Sequence, residues 1–327
     1  MNLNIKKNFK KFSLIGQRAS FGLICLELAK NDTNFLILTA DVSTSAGLDR
    51  FRKALPEQYI EVGISEQNLI GVASGLSSEG FNVMTTTFSP FQTLRCAEQI
   101  KVNLGYMKNK VILVGLASGL ALGSLGYTHC SIEDISIIRS IPNITICSPA
   151  DCIELYKILE ASTVYKESIY IRLTGTSNQP IIYNDDYNFQ IGKSIRLKEG
   201  KDIDIFANGP TVYESLEAAK ILEESGISAG VINMHTIKPI DREAITKSCH
   251  EKKYIFSIEE HSIIGGLSSA IAEVKSSFFN SSIQISIALP DEYDKSGPYQ
   301  QLKDYFGLTS QKIAIRIAKE LENDQSR

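Results

Sequence analysis

Residues 59–91 read YIEVGISEQNLIGVASGLSSEGFNVMTTTFSPF. The run Tyr59–Val62 meets a glycine, and an apolar stretch rich in Gly, Ala and Ser follows from Glu66 to Glu79. A second short run, Asn82-Val83-Met84, then leads through threonines to Phe88 and Phe91. A strand, a helix and a second strand at this spacing predict a β-α-β unit with parallel strands. Parallel sheets carry helices on both faces, so their strands read as near-continuous apolar runs.

Outward from that unit the alternation continues in both directions. Phe35–Leu38, Val111–Val114, Ile144–Ile146 and Ile169–Ile171 read as buried strands, and Arg18–Lys30, Phe91–Met107, Ile132–Ser140 and Ala150–Val164 as helices. The pattern pauses at Gly175–Asn188, a polar segment with a proline and the adjacent Asp185 and Asp186, which predicts a linker. Strands at Ile203–Ala207, Ile227–Ile232, Tyr254–Ile258 and Ile283–Ala288 then alternate with helices at Thr211–Ser225, Asp241–Cys249, Gly266–Ser276 and Ser310–Leu321. The expectation is an α/β protein of two parallel-sheet domains, residues 1–180 and 188–327. A length of 327 residues agrees with two domains of about 150 residues each.

Composition narrows the class. Lys+Arg number 34 and Asp+Glu 37, a net charge of −3, which excludes a globally basic nucleic-acid binder. Apolar residues at 43% and charged residues at 22% are the values of a folded, soluble chain, not of a disordered one. The six cysteines include no C-x-x-C pair, which predicts reduced, buried thiols rather than a disulfide framework or a zinc site. The N-terminus has basic residues but no continuous apolar core or small-residue cleavage site. The most apolar stretch, Val111–Leu122, falls short of the ~20 residues of a membrane span. A cytoplasmic protein without membrane attachment is expected.

Several residues could carry chemistry. Glu66 falls in the first turn of its helix, where the dipole favours a carboxylate; alternatively, Ser65 caps that helix and Glu66 only complements it. Phe88 and Phe91 stand where a strand ends, the edge at which open α/β sheets bind ligands. Two rings there could sandwich a flat heterocycle or simply pack in the core. Arg95 follows on the next predicted helix. The glycine-rich run Gly115–Gly126 lacks the G-x-G-x-x-G spacing of a dinucleotide site, yet it lets backbone approach a ligand. His129 at its end could serve that ligand or be a structural, hydrogen-bonded histidine. Arg172, at the end of its predicted strand, could hold a phosphate or pair with an acid.

Taken in order, the motifs resemble the C-terminal half of the transketolase family over nearly the whole chain. They are A-D-V-x-x-S (Ala40–Ser45), G-I-S-E-Q-N (Gly63–Asn68), T-F-S-P-F (Thr87–Phe91), R-x-x-E-Q-I (Arg95–Ile100) and G-x-T-H (Gly126–His129). E-D-I (Glu133–Ile135), S-P-A-D (Ser148–Asp151), Y-I-R-L (Tyr170–Leu173) and E-E-H-S-I-I-G-G-L (Glu259–Leu267) follow. The chain is similar above all to split transketolases, whose halves are separate polypeptides. Deoxyxylulose-phosphate synthase and the β subunits of 2-oxo acid dehydrogenases are more distant relatives.

The resemblance implies thiamine diphosphate and transfer of a two-carbon ketol unit from a ketose to an aldose. Glu66 would hydrogen-bond N1′ of the aminopyrimidine, Phe88 and Phe91 would stack on that ring, and Asp41 would join them in cofactor binding. His129 would serve catalysis and, with Arg172, Arg95 and Leu125, contact the substrate. Family members hold the diphosphate through a magnesium (or calcium) ion bound by a G-D-G motif and a later Asn, and no G-D-G occurs in this chain. The implied partner is an N-terminal transketolase subunit carrying that motif, in an α2β2 heterotetramer acting on sugars or sugar phosphates. One position departs from the family. Leu125 stands where ordinary transketolases have the Asp of G-x-D-G-x-T-H, and a Leu cannot accept a hydrogen bond from a sugar hydroxyl. An unusual sugar, deoxygenated or apolar at the facing carbon, is therefore expected. A 2-oxo acid dehydrogenase β-type subunit and a non-catalytic assembly subunit are the alternatives; an intact Glu66 argues against the second.

Overall fold

The chain folds into two α/β units in a computed structural model that describes residues 5–184, 187–277, 279 and 281–325. The first unit holds α1 (Ile5–Ala29), β1 (Phe35–Thr39), α2 (Asp49–Ala54), β2 (Tyr59–Glu61), α3 (Glu66–Ser78) and β3 (Asn82–Phe88). It continues with α4 (Ser89–Gln92), α5 (Ala97–Ile100), β4 (Val111–Ser118), α6 (Asp134–Arg139), β5 (Ile144–Cys147), α7 (Cys152–Val164) and β6 (Ser168–Thr174). The second holds β7 (Ile195–Lys198), β8 (Ile203–Ala207), α8 (Thr211–Glu224), β9 (Ala229–Asn233), β10 (Thr236–Lys238) and α9 (Arg242–Glu251). It closes with β11 (Tyr254–Ser262), α10 (Leu267–Lys275), β12 (Ile283–Leu289), α11 (Tyr299–Tyr305) and α12 (Ser310–Gln325).

The two sheets run β10-β5-β6-β4-β3-β1-β2 and β12-β11-β8-β9-β7. All pairs are parallel except β10 with β5 and β7 with β9. Strand alternation explains the double covering. In β4, Ile112 and Val114 pack with Phe21 and Ile24 of α1 and Leu155 and Ile158 of α7, whereas Val111 and Leu113 face Leu69, Ile70 and Ala73 of α3. The second sheet is covered likewise, by α8 and α12 on one side and α9 and α10 on the other. All six cysteines are buried and free, as expected. The Lys10–Ala29 stretch of α1 is long and apolar enough to cross a membrane by length and composition, but half of it is buried, with Phe12, Phe21, Ile24 and Cys25 in the core.

Two expectations are corrected. The single helix predicted over Phe91–Met107 is broken into α4, α5 and a π-helical turn at Lys101–Tyr106. The break follows Thr93, whose hydroxyl donates to the Ser89 carbonyl at 2.7 Å, a local bond that competes with helix continuation. Ser65 does not cap α3 with its side chain; its hydroxyl donates back to the Val62 carbonyl. β10 of the second unit also forms the edge of the first sheet, where Thr236 pairs with Cys147. β10 has three residues and β7 four, Ile195-Arg196-Leu197-Lys198, too short and too polar to show an apolar run or a clear period, so neither is legible in the sequence. Asp151 does cap α7, its Oδ1 accepting the Ile153 and Glu154 amides.

The linker is clamped by two acids of α7 and its cap. Asp151 Oδ2 accepts the Ile182 and Tyr183 amides, and Glu154 accepts from Asn233 of β9 and from the Tyr183 and Tyr187 hydroxyls. The linker's Asp185 and Asp186 lie outside the described residues. Burial pushes the Glu154 carboxyl up from 4.5 to about 7. A pKa raised on folding gives stability that is complete below 4.5 and is lost as pH rises through about 7. The unfolding free energy should thus fall by on the order of 3 kcal/mol over that window. Urea unfolding between pH 5 and 8 checks this: Glu154→Gln should flatten the slope, and an unchanged slope would assign it to other groups.

Candidate active site

The site forms where β2, β3 and β4 end, because the chain leaves a parallel sheet at its carboxyl edge with unpaired backbone and freely aimed side chains. At β2, the Glu61 carboxylate accepts the Asp41 amide at 2.8 Å and the Gly63 amide at 2.9 Å, tying the turn before α3 to the end of β1. Asp41 itself takes a left-handed backbone (φ 55°) and is exposed. α3 then begins with Glu66, which is buried.

The break after α4 turns Arg95 back onto this helix. Its Nη1 donates to Glu66 Oε1 at 2.8 Å, and its guanidinium lies 4.0 Å from the centre of the Phe91 ring. Phe88 and Phe91 meet edge to face at 6.3 Å, and the His129 ring lies 5.4 Å from Phe91 and 6.4 Å from Phe88. Thr128 Oγ1 sits 3.0 Å from His129 Nδ1 and orients the imidazole. Glu66, Phe88, Phe91, Arg95 and His129 therefore come together in one cluster. The other Glu66 oxygen, Oε2, accepts no hydrogen bond among the described residues. An accessible carboxylate oxygen free to accept, on a largely buried glutamate beside a half-buried aromatic face, fits a flat heterocycle with a ring nitrogen.

Two predicted substrate residues stand differently. Arg172 lies within β6, not at its end, and is only 1% exposed. Its Nε donates to Asp134 at 2.8 Å, Nη2 to the Glu260 and Ser131 carbonyls, and Nη1 to Thr174. Every donor group of Arg172 is thus engaged within the chain, and through the Glu260 carbonyl it joins the two units. Leu125 ends a single 3-10 turn, Gly123–Leu125, and is exposed, four residues before His129.

Sequence reasoning missed Arg18. This half-buried residue of α1 has no ion pair or hydrogen bond among the described residues, and burial pushes its pKa down. It lines a cleft of about 320 Å³ with Thr44, Ser45, Thr176 and Ser177, so an uncompensated guanidinium stands among hydroxyls at the carboxyl ends of β1 and β6. Such a set suits an anion. A lone Arg inside an apolar helix carries no spacing signal, which is why only the fold exposes it.

Comparison with known proteins agrees with the two-unit fold. The transketolase pyrimidine-binding domain matches residues 15–178 and the transketolase C-terminal domain residues 192–313. An apulose-4-phosphate transketolase subunit of Phocaeicola vulgatus is 37% identical over 311 residues, covering 94% of this chain and 99% of that one. A 6-deoxy-6-sulfo-D-fructose transketolase subunit of Clostridium sp. is 35% identical over 301 residues, covering 91% and 92%. Among solved structures, a split-gene transketolase in the form of an inactive β4 tetramer superposes with a TM-score of 0.84 at 35% identity, covering 93% of this chain and 97% of that one. The chain belongs to the transketolase family and is a C-terminal subunit of the split type, a transketolase-type transferase component whose two matched domains are the two units of its fold.

Proposed function

We propose that this chain is the pyrimidine-binding half of a thiamine-diphosphate enzyme that moves a two-carbon ketol unit from an unusual ketose to an aldose. The carrying observation is the buried Glu66 carboxylate, with Oε2 open beside Phe91. Glu66 would accept the N1′ hydrogen bond, with Phe91 and Phe88 against the ring. When bound, thiamine diphosphate supplies the nucleophilic carbon that attacks the ketose carbonyl. Glu66 would share a proton with N1′, Arg95 would release Oε1 and the Phe91 face to make room, and His129 would donate a hydrogen bond to substrate oxygen. Arg18, not Arg172, is the anion contact for a phosphate or sulfonate tail. Both named relatives act on uncommon sugars, one phosphorylated and one carrying a sulfo group, and Leu125 in place of the family Asp favours the same class.

The sequence contains no G-D-G motif, which supports placing the diphosphate and its magnesium or calcium ion on an N-terminal partner subunit, in an α2β2 assembly. Ile64, Leu94, Val102, Tyr106 and Met107 are exposed on the segments flanking Glu66 and Arg95, an apolar surface of the kind a partner covers. Six buried thiols suit a reducing compartment, and we put the enzyme in the cytoplasm, acting on small sugars rather than on nucleic acid or membrane. Calorimetry with thiamine diphosphate and magnesium tests the split site. The chain alone should bind weakly or not at all, and the chain with its partner should bind tightly and transfer ketol units. Tight magnesium-dependent binding by the chain alone would overturn the proposal.

A further inference from the structure

The His129 loop spans residues 119–131 and leaves β4 through Gly119, whose φ is +66°. Gly119 and Ser131 close its base through two backbone hydrogen bonds, 2.8 and 3.0 Å. The second unit reaches into that base. Glu260 of β11, 1% exposed, accepts the Leu120 amide on Oε1 at 2.8 Å and the Tyr299 hydroxyl on Oε2 at 2.6 Å. A Cβ at position 119 would stand 2.2 Å from Glu260 Oε1, so the loop can pass this carboxylate only through a glycine. The Glu260 carbonyl takes Arg172 Nη2, which also donates to Ser131 at the far end of the loop. One residue thus holds both ends: its side chain binds the start, and its main chain shares an arginine with the finish. The Gly297 amide adds a bond to the Gly123 carbonyl at 3.0 Å, and Tyr293 packs on Tyr127.

We infer that Glu260 is a positioning residue for the reaction, setting the loop so that His129 sits edge-on to Phe91. Through it the second unit, which contributes no residue to the ring cluster, takes part in activity. The assignment of a role to His129 rests on the proposed function, whereas the anchoring of its loop does not. The anchoring is tested on the chain by itself, by hydrogen exchange of wild type, Glu260→Ala and Glu260→Gln.

Exchange of amides 120–129 should quicken roughly tenfold in the Ala variant, as expected for loss of a hydrogen bond to a charged group. The Gln variant should stay near wild type, since its amide oxygen can accept from Leu120 and its NH₂ can donate to Tyr299. In the complete enzyme the Ala variant should lose about 10²-fold in kcat/KM with cofactor affinity unchanged, the scale of a small misplacement at a reacting centre, and Gln should restore it. Unchanged exchange in the Ala variant, or a loss of activity no greater than its loss of folded protein, overturns the positioning role. Absence of ketol transfer by the wild-type enzyme would instead overturn the proposed function and leave the exchange result standing.

Discussion

Glu66→Gln should leave the chain folded and able to assemble while lowering ketol-transfer turnover by about 10²–10⁴-fold, the range for loss of a general acid–base group. Gln has nearly the same volume, so the packing of α3 beside Phe91 should persist. It also still accepts a hydrogen bond from Arg95, whose side chain is 44% exposed and tolerates loss of its charge partner. What Gln cannot do is share a proton with a ring nitrogen in a buried site. Steady-state rates, set beside melting temperature and sedimentation of the same preparation, separate chemistry from folding. A variant keeping more than about half of wild-type turnover would remove Glu66 from the role of activating acid.

Arg172→Met should destabilise the chain by about 3–5 kcal/mol, because it strands a buried acid without its cation. Asp134 is fully buried, and its Oδ2 takes Arg172 Nε at 2.8 Å together with the Tyr170 hydroxyl at 2.7 Å. Its Oδ1 has no hydrogen-bond partner among the described residues, and the Tyr170 and Ser89 hydroxyls that remain on Oδ2 are neutral donors that cannot replace the cation. The lost contact to the Glu260 carbonyl also joins the two units, so urea unfolding should separate into two transitions in the variant. Arg18→Ala offers the contrast: KM for an anionic sugar rises while stability changes little, since Arg18 has no partner to strand among the described residues. A stable Arg172→Met enzyme with a raised KM would reverse the two assignments.

Most of the architecture is legible without the structure because parallel strands buried on both faces are near-continuous apolar runs. Phe35–Leu38 and Val111–Val114 announce themselves by that alone, and Asp151 marks the start of α7 because its side chain accepts the first amides of the helix. Glu66, Phe88, Phe91 and His129 were also legible, since each follows a strand and the carboxyl edge of a sheet gathers such residues whatever their separation in the chain.

The roles of the charged residues were decided only by tertiary structure. Arg172 and Arg18 look alike in sequence, but one is neutralised by Asp134, 38 positions away, and the other by no described residue. A charge is defined by what compensates it, and compensation crosses elements that no local period connects. The same holds for Arg95, which reaches Glu66 only because the predicted helix breaks after Thr93. It holds for β10, whose three residues find the first sheet through long-range pairing. It holds for Glu260, 140 positions from the amide it holds. Local patterns determine where strands, helices and caps form, because their energetics are local; which acid meets which base, and which domain supports which loop, depends on distances that exist only after the two sheets have packed.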